Sequence, residues 1–68
     1  MKMTFDKDAN AAYIYLKDKL GKGDVKKTLS LNDNIIMDFD KDEKLVGIEI
    51  LNASSVLSKK VISEQLKH

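Results

Sequence analysis

The chain has 68 residues, with twelve lysines against eleven acidic residues for a formal net charge of +1, and it lacks arginine, cysteine, proline and tryptophan. Disulfides and thiolate zinc sites are excluded, and the length fits one domain. A domain this small buries only about 60% of the surface its unfolded chain exposes, so its core is thin and a partner surface would support it.

The first residues alternate, with Met1, Met3 and Phe5 against Lys2 and Thr4. That period of two predicts a half-buried strand over about 1–5. Asp6 to Asn10 is a turn, because Asp and Asn bond to nearby backbone and tolerate unusual dihedrals. A second strand over about 11–17 places Ala12, Ile14 and Leu16 on one face and Ala11, Tyr13 and Tyr15 on the other. Gly21 and Gly23 lie among charged residues and mark a loop. Alternation resumes over about 25–31, pauses at the Asx turn Asn32-Asp33-Asn34, continues over about 35–40, and returns over about 45–51 after a charged turn.

Connections this short favour antiparallel pairing. The fold class is therefore α+β, a four- to five-stranded antiparallel β-meander over a single domain of residues 1–68. One face collects Met3, Phe5, Ile14, Leu16, Leu29, Leu31, Met37, Phe39, Ile48 and Ile50. Its cover is one carboxy-terminal helix over about 53–66, with Asn52 or Ser54 as cap and Leu51 as a staple. On a continuous helix Ala53, Val56, Leu57 and Val61 share one arc, whereas Ile62 and Leu66 fall on another.

The chemistry-bearing residues assemble no familiar machine. Asp38, Asp40 and Asp42, followed by Glu49, match part of a calcium loop, but Glu43 stands where its turn needs glycine and the flanks read as strands. The sole histidine is His68, so no serine has a buried base beside it. Gly21 and Gly23 lack the third glycine and the helix of a phosphate-binding fingerprint. The reading expects no catalytic, cofactor or metal site, and no enzyme. Lys22, Lys26 and Lys27 with Tyr13 and Tyr15 raise single-stranded nucleic acid as an alternative. It is disfavoured by the near-neutral charge and by the missing arginine, the residue that best grips phosphate. The candidate partner interface is Tyr13, Tyr15 and Ile36 on the outer sheet face together with Ile62 and Leu66 on the helix. The expected partner is a second copy of the chain, as a homodimer or higher oligomer. With no apolar run of about 18 residues and no leader pattern, the expected location is the cytoplasm and no membrane is involved.

Two stretches resemble a known family. Phe5-Asp6-Lys7-Asp8-Ala9-Asn10-Ala11-Ala12-Tyr13-Ile14-Tyr15-Leu16 is similar to the opening, and Leu45-Val46-Gly47-Ile48-Glu49-Ile50-Leu51-Asn52-Ala53-Ser54 to the closing signature, of a large family of short prokaryotic proteins catalogued as a domain of unknown function. The resemblance spans residue 1 to about 56. Lys7 departs from its usual proline, Asn10 from aspartate and Glu43 from glycine. Some members are encoded beside small proteins resembling the toxin half of toxin–antitoxin pairs, so the resemblance implies a small cytoplasmic protein and, for some members, an antitoxin-like binding role toward a small toxin-like protein. In the signature, Gly47 would permit a close approach in the last strand, Asp6 would organise a turn, and Glu49 alone lacks an evident structural task, with pairing to a lysine the expected one.

Overall fold

The computed structural model describes residues 1–66, except the side chain of Leu66. Five strands, β1 (Lys2–Asp6), β2 (Ala11–Tyr15), β3 (Lys27–Ser30), β4 (Ile35–Phe39) and β5 (Leu45–Leu51), form one sheet, followed by α1 (Ala53–Val56) and α2 (Lys59–Leu66). Every pairing is antiparallel, and the order across the sheet is β1-β2-β5-β4-β3. The α+β architecture read from the alternation is thus present. Its strand order departs from a strict meander at one point: β1-β2 and β3-β4-β5 each run in sequence, but β5, not β3, lies beside β2. The long segment between β2 and β3 carries the chain across the sheet, and it is organised locally. Leu16 donates to the Val46 carbonyl at 3.0 Å, Gly23 takes a φ of 89°, and Lys17 pairs with Asp24 at 3.5 Å. The Gly21 amide, followed by Lys17, lowers the Asp24 carboxyl below the ordinary carboxylate value.

Register sorts the side chains into two faces, because alternate residues along a strand point oppositely. On the inner face one row runs Met3, Ile14, Ile48, Met37, Leu29, and the next runs Phe5, Ala12, Ile50, Ile35. The helices lie on this face: Ala53 joins Ala12 and Ile50 in the core, with Met3, Phe5, Ile35, Ile48, Val56 and Leu57 packed around it. The core is small, as the length requires. Among the described residues only Ala12, Val46, Ile50 and Ala53 are buried apolar residues, and no side chain larger than alanine is fully enclosed.

The expected single helix is in fact two. Leu57 is extended (φ −101°, ψ 145°), and Ser58 restarts the helix, its carbonyl accepting from the Ile62 amide at 3.2 Å and its hydroxyl from the Val61 amide at 3.2 Å. A serine competes with helical backbone and favours caps, which is the physical reason for the break. The new phase undoes the two arcs of a continuous helix. Val61, on the arc of Ala53, Val56 and Leu57 in a continuous helix, is 41% exposed, while Ile62, on the other arc and read as a partner contact, is half-buried. No helix among the described residues is long and apolar enough to cross a membrane.

Turns are built from Asx side chains. Asp6 Oδ1 accepts from Ala9, Asn32 Oδ1 from Asn34 and Ile35, and Asp40 Oδ1 from Asp42 at 2.9 Å and Lys44 at 3.0 Å. At one end of the sheet they reach farther. Asn10 accepts the Ser54 amide on Oδ1 at 3.0 Å, donates to the Ser54 hydroxyl at 3.0 Å, and its carbonyl accepts the Ala53 amide at 2.8 Å. Asn52 precedes α1 in the left-handed region, and its side chain donates to Asn34 Oδ1 at 2.9 Å instead of capping. Two distant turns are thereby fastened to the start of α1.

The turn after β4 contains a strained residue. Glu43 has a φ of 61°, the left-handed region that costs a residue with a Cβ about 1–2 kcal/mol. Its compensation is an exposed pair with Lys27 at 3.5 Å, worth about 0–1 kcal/mol. Glu43→Gly is expected to stabilise the protein by about 0.5–1 kcal/mol after glycine's greater unfolded freedom is counted. Thermal melts should show Tm rising by a few degrees; an unchanged or lower Tm would remove strain as the account of this position.

Candidate functional site

The outer face carries the distinctive chemistry. Its rows, read from the register, are Thr4, Tyr13, Glu49, Ile36, Ser30 and, beside it, Lys2, Tyr15, Gly47, Asp38, Thr28. The Tyr13 ring does not stay over its direct partner Glu49. It leans diagonally over Gly47, so close that a Cβ on that residue would sit 2.0 Å from the phenol oxygen and 2.6 Å from the ring carbon bearing it. The approach expected at Gly47 is therefore made by a tyrosine.

Past Gly47 the Tyr13 hydroxyl donates to Asp38 Oδ2 at 2.6 Å, and the Thr28 hydroxyl donates to Asp38 Oδ1 at 2.8 Å. Side chains from β2, β4 and β3 are thus joined across β5. Tyr15 meets Tyr13 edge to face, with ring centroids 4.7 Å apart and planes at 68°, and the Lys2 ammonium lies 4.8 Å from the centre of the Tyr15 ring. Aromatic edges and faces carry opposite partial charge, which favours this packing.

Burial pushes the Tyr13 phenol upward, well beyond the ordinary 10.0, with further help from its bond to Asp38 and from the charges of Asp38, Tyr15 and Glu49. Folding therefore holds the phenol proton. The stabilisation is complete below pH 10, the unfolded value, and is lost as pH rises above it. Above pH 10 the stability of Tyr13→Phe, lower at the outset for want of the Asp38 bond, should consequently fall less steeply with pH than that of the parent. In a Tyr15→Phe variant, where Tyr13 is the only tyrosine, phenolate absorbance should appear well above pH 10 and together with loss of the fold. Ionisation near 10 in the folded state would show that Tyr13 is not held as described.

The residues expected to form the interface divide. Tyr13, Tyr15 and Ile36 share the outer face and are half-buried there. Ile62 belongs to α2, on the opposite side, where Gln65 lines a groove of about 320 Å³ with Met3 and Ile14. The Leu66 side chain and His68 lie outside the described residues. Of the acidic series, Asp38 is held by Tyr13 and Thr28, and Asp40 organises its own turn. Among the described residues no three His, Cys, Asp or Glu side chains converge as metal ligands would. Glu49 stands between Tyr13 and Ile36 and takes part in neither ion pair found among the described residues.

The Tyr13–Asp38–Thr28 group was not legible from spacing, since it depends on β5 lying between β2 and β4. A signal existed in Gly47, a glycine in the interior of an apolar strand, which marks a place where something approaches closely.

No curated protein and no solved structure is significantly similar to the chain. A family model described as "Protein of unknown function (DUF2283)" matches residues 2–54, covering all five strands and the Asn10, Asn52 and Ser54 joint. By that match the chain belongs to the DUF2283 family of proteins of unknown function, the kind of family its two signature stretches resemble.

Proposed function

We propose that the chain is a non-enzymatic protein-interaction module that takes its partner on the outer sheet face. The observation that carries this reading is the tyrosine pair, fixed in place by Asp38 and Lys2 on a face that neither helix covers. Tyrosines held this way offer large, amphipathic contact area at little further entropic cost, as interface anchors do. An antitoxin-like role is one form of the same reading, in which Asp38 and Glu49 supply charge complementary to a small basic toxin-like protein.

Two features weigh against single-stranded nucleic acid. The edge-to-face packing and the Lys2 ammonium occupy the ring surface on which a base would stack, and two carboxylates lie where phosphates would approach. The test is a photo-crosslinking residue in place of the exposed Thr4, next to Tyr13, followed by reconstitution of the trapped species with the purified chain. A discrete protein adduct, a stoichiometric complex from pure components, and loss of both in Tyr15→Ala are expected. Absence of an adduct would remove the reading, and a nuclease-sensitive adduct would transfer the face to nucleic acid.

A further inference from the structure

The helices leave part of the inner face open. They pack on β5 and β1, and the apolar rows run on past them to β4 and the edge strand β3. There Leu29 is 45% exposed and Leu31 64%, beside half-buried Met37, and all four residues of β3 are exposed. A leucine pair continuing a buried row is not the scattered apolar exposure common on any surface.

The areas indicate what is missing. A folded monomer of this mass exposes about 4,300 Å². This chain exposes 5129 Å², about 800 Å² more than that, so the single chain leaves surface uncovered on the scale that one partner of a standard stable interface buries. The backbone agrees, since its radius of gyration is 12.2 Å where a compact chain of this length has about 11 Å. The molecule is a sheet with a cover over part of one face.

We propose that a second copy of the chain closes the open half, with the Leu29, Leu31 and Met37 surfaces of two protomers packed face to face about a twofold axis. Such an interface needs only one self-complementary patch. This patch meets that condition, being apolar except for Lys27 at its border, which is itself paired with Glu43 at 3.5 Å. A partner selected by charge would find little here to recognise. The proposal goes beyond the reading of the outer face, because it gives the opposite face of the sheet a partner of its own, so the Thr4 crosslink and the experiment below fail independently.

Sedimentation equilibrium of the full chain at micromolar concentration should give twice the 7.7 kDa protomer mass. The double variant Leu29→Asp, Leu31→Asp should halve that mass while retaining the strand signal in circular dichroism, because both side chains are exposed in the single chain. Tyr15→Ala should leave the dimer intact. As the parent has no cysteine, single cysteines give a second measurement independent of the double variant's folding. Nitroxide labels on Leu31→Cys should show strong inter-protomer coupling and labels on Thr4→Cys little. A monomer at all concentrations tested, a dimer indifferent to the aspartates in a folded double variant, or coupling stronger at position 4 than at 31 would each overturn the proposal.

Discussion

Gly47→Ala is expected to leave the protein only marginally folded at room temperature, although alanine is ordinarily the better residue in a strand. The added methyl would meet the Tyr13 ring at distances no real contact allows, 2.0 Å at the hydroxyl oxygen and 2.6 Å at the adjoining carbon. The ring must leave, and the Asp38 bond goes with it. Overpacking of this kind costs about 1–3 kcal/mol, and a hydrogen bond to a charged group contributes about 1.5–3 kcal/mol. A loss of about 3 kcal/mol consumes most of the 3–5 kcal/mol that a core of this size supplies. Tm should fall by roughly 10–20 °C. The sign should reverse in a Tyr13→Ala background, where nothing occupies the space and alanine improves on glycine by about 0.5 kcal/mol. A double-mutant cycle by urea denaturation measures this directly. Equal cost in both backgrounds would mean that Gly47 answers to something other than the ring.

Asn10→Ala is the second large effect, for a different reason. Asn10 has a φ of 52°, where a Cβ costs about 1–2 kcal/mol unless a side-chain bond compensates. Asparagine compensates by receiving the Ser54 amide and donating to its hydroxyl. Loss of a cap contributes another 0.5–2 kcal/mol, so the alanine variant should be less stable by about 2–3 kcal/mol. Two companions separate these contributions. Asn10→Gly relieves the backbone and forfeits only the cap. Asn10→Asp keeps the acceptor and places a negative charge at the start of α1, so it should lie within about 0.5 kcal/mol of the parent. Urea midpoints that rank Ala below Gly and Gly below Asp would support this account; if the aspartate variant were as unstable as the alanine one, the Ser54 tie would not be the stabilising element.

These two positions also mark where the sequence could and could not be read. Alternation along Met3, Phe5, Ile14, Ile48 and Ile50 is a property of single strands, and it was enough to identify the strands, the inner face and the antiparallel class. Placing β5 beside β2 requires knowing which of two equally apolar edges β5 joins, and local pattern holds no information on that. The Tyr13–Asp38 bond and the Asn10–Ser54 tie both follow from that one pairing, so both were hidden with it. The break at Ser58 escaped for the opposite reason. It is local, but the apolar spacing through Val61 and Ile62 is compatible with one helix or two, and a capping serine decides the matter only once Leu57 is seen to be extended. Tyr13, Tyr15 and Ile36 could be assigned to one face from sequence, whereas Ile62 could not be set against them without the sheet.

The position of β5 has a consequence for the order in which the protein comes into being. The central strand is the last to be synthesised, so the β1-β2 hairpin emerges from the ribosome with its eventual neighbour still unmade. A hairpin of two strands is marginal in water by itself. Until residue 51 is free, Tyr13 has no Gly47 to cross and no paired Asp38 to reach, and Ala12 has no Ile50 against it. Folding therefore waits for the carboxy-terminal part of the chain, and nascent chains cut short before β5 should be unfolded and readily proteolysed along their whole length, with no amino-terminal half that survives alone.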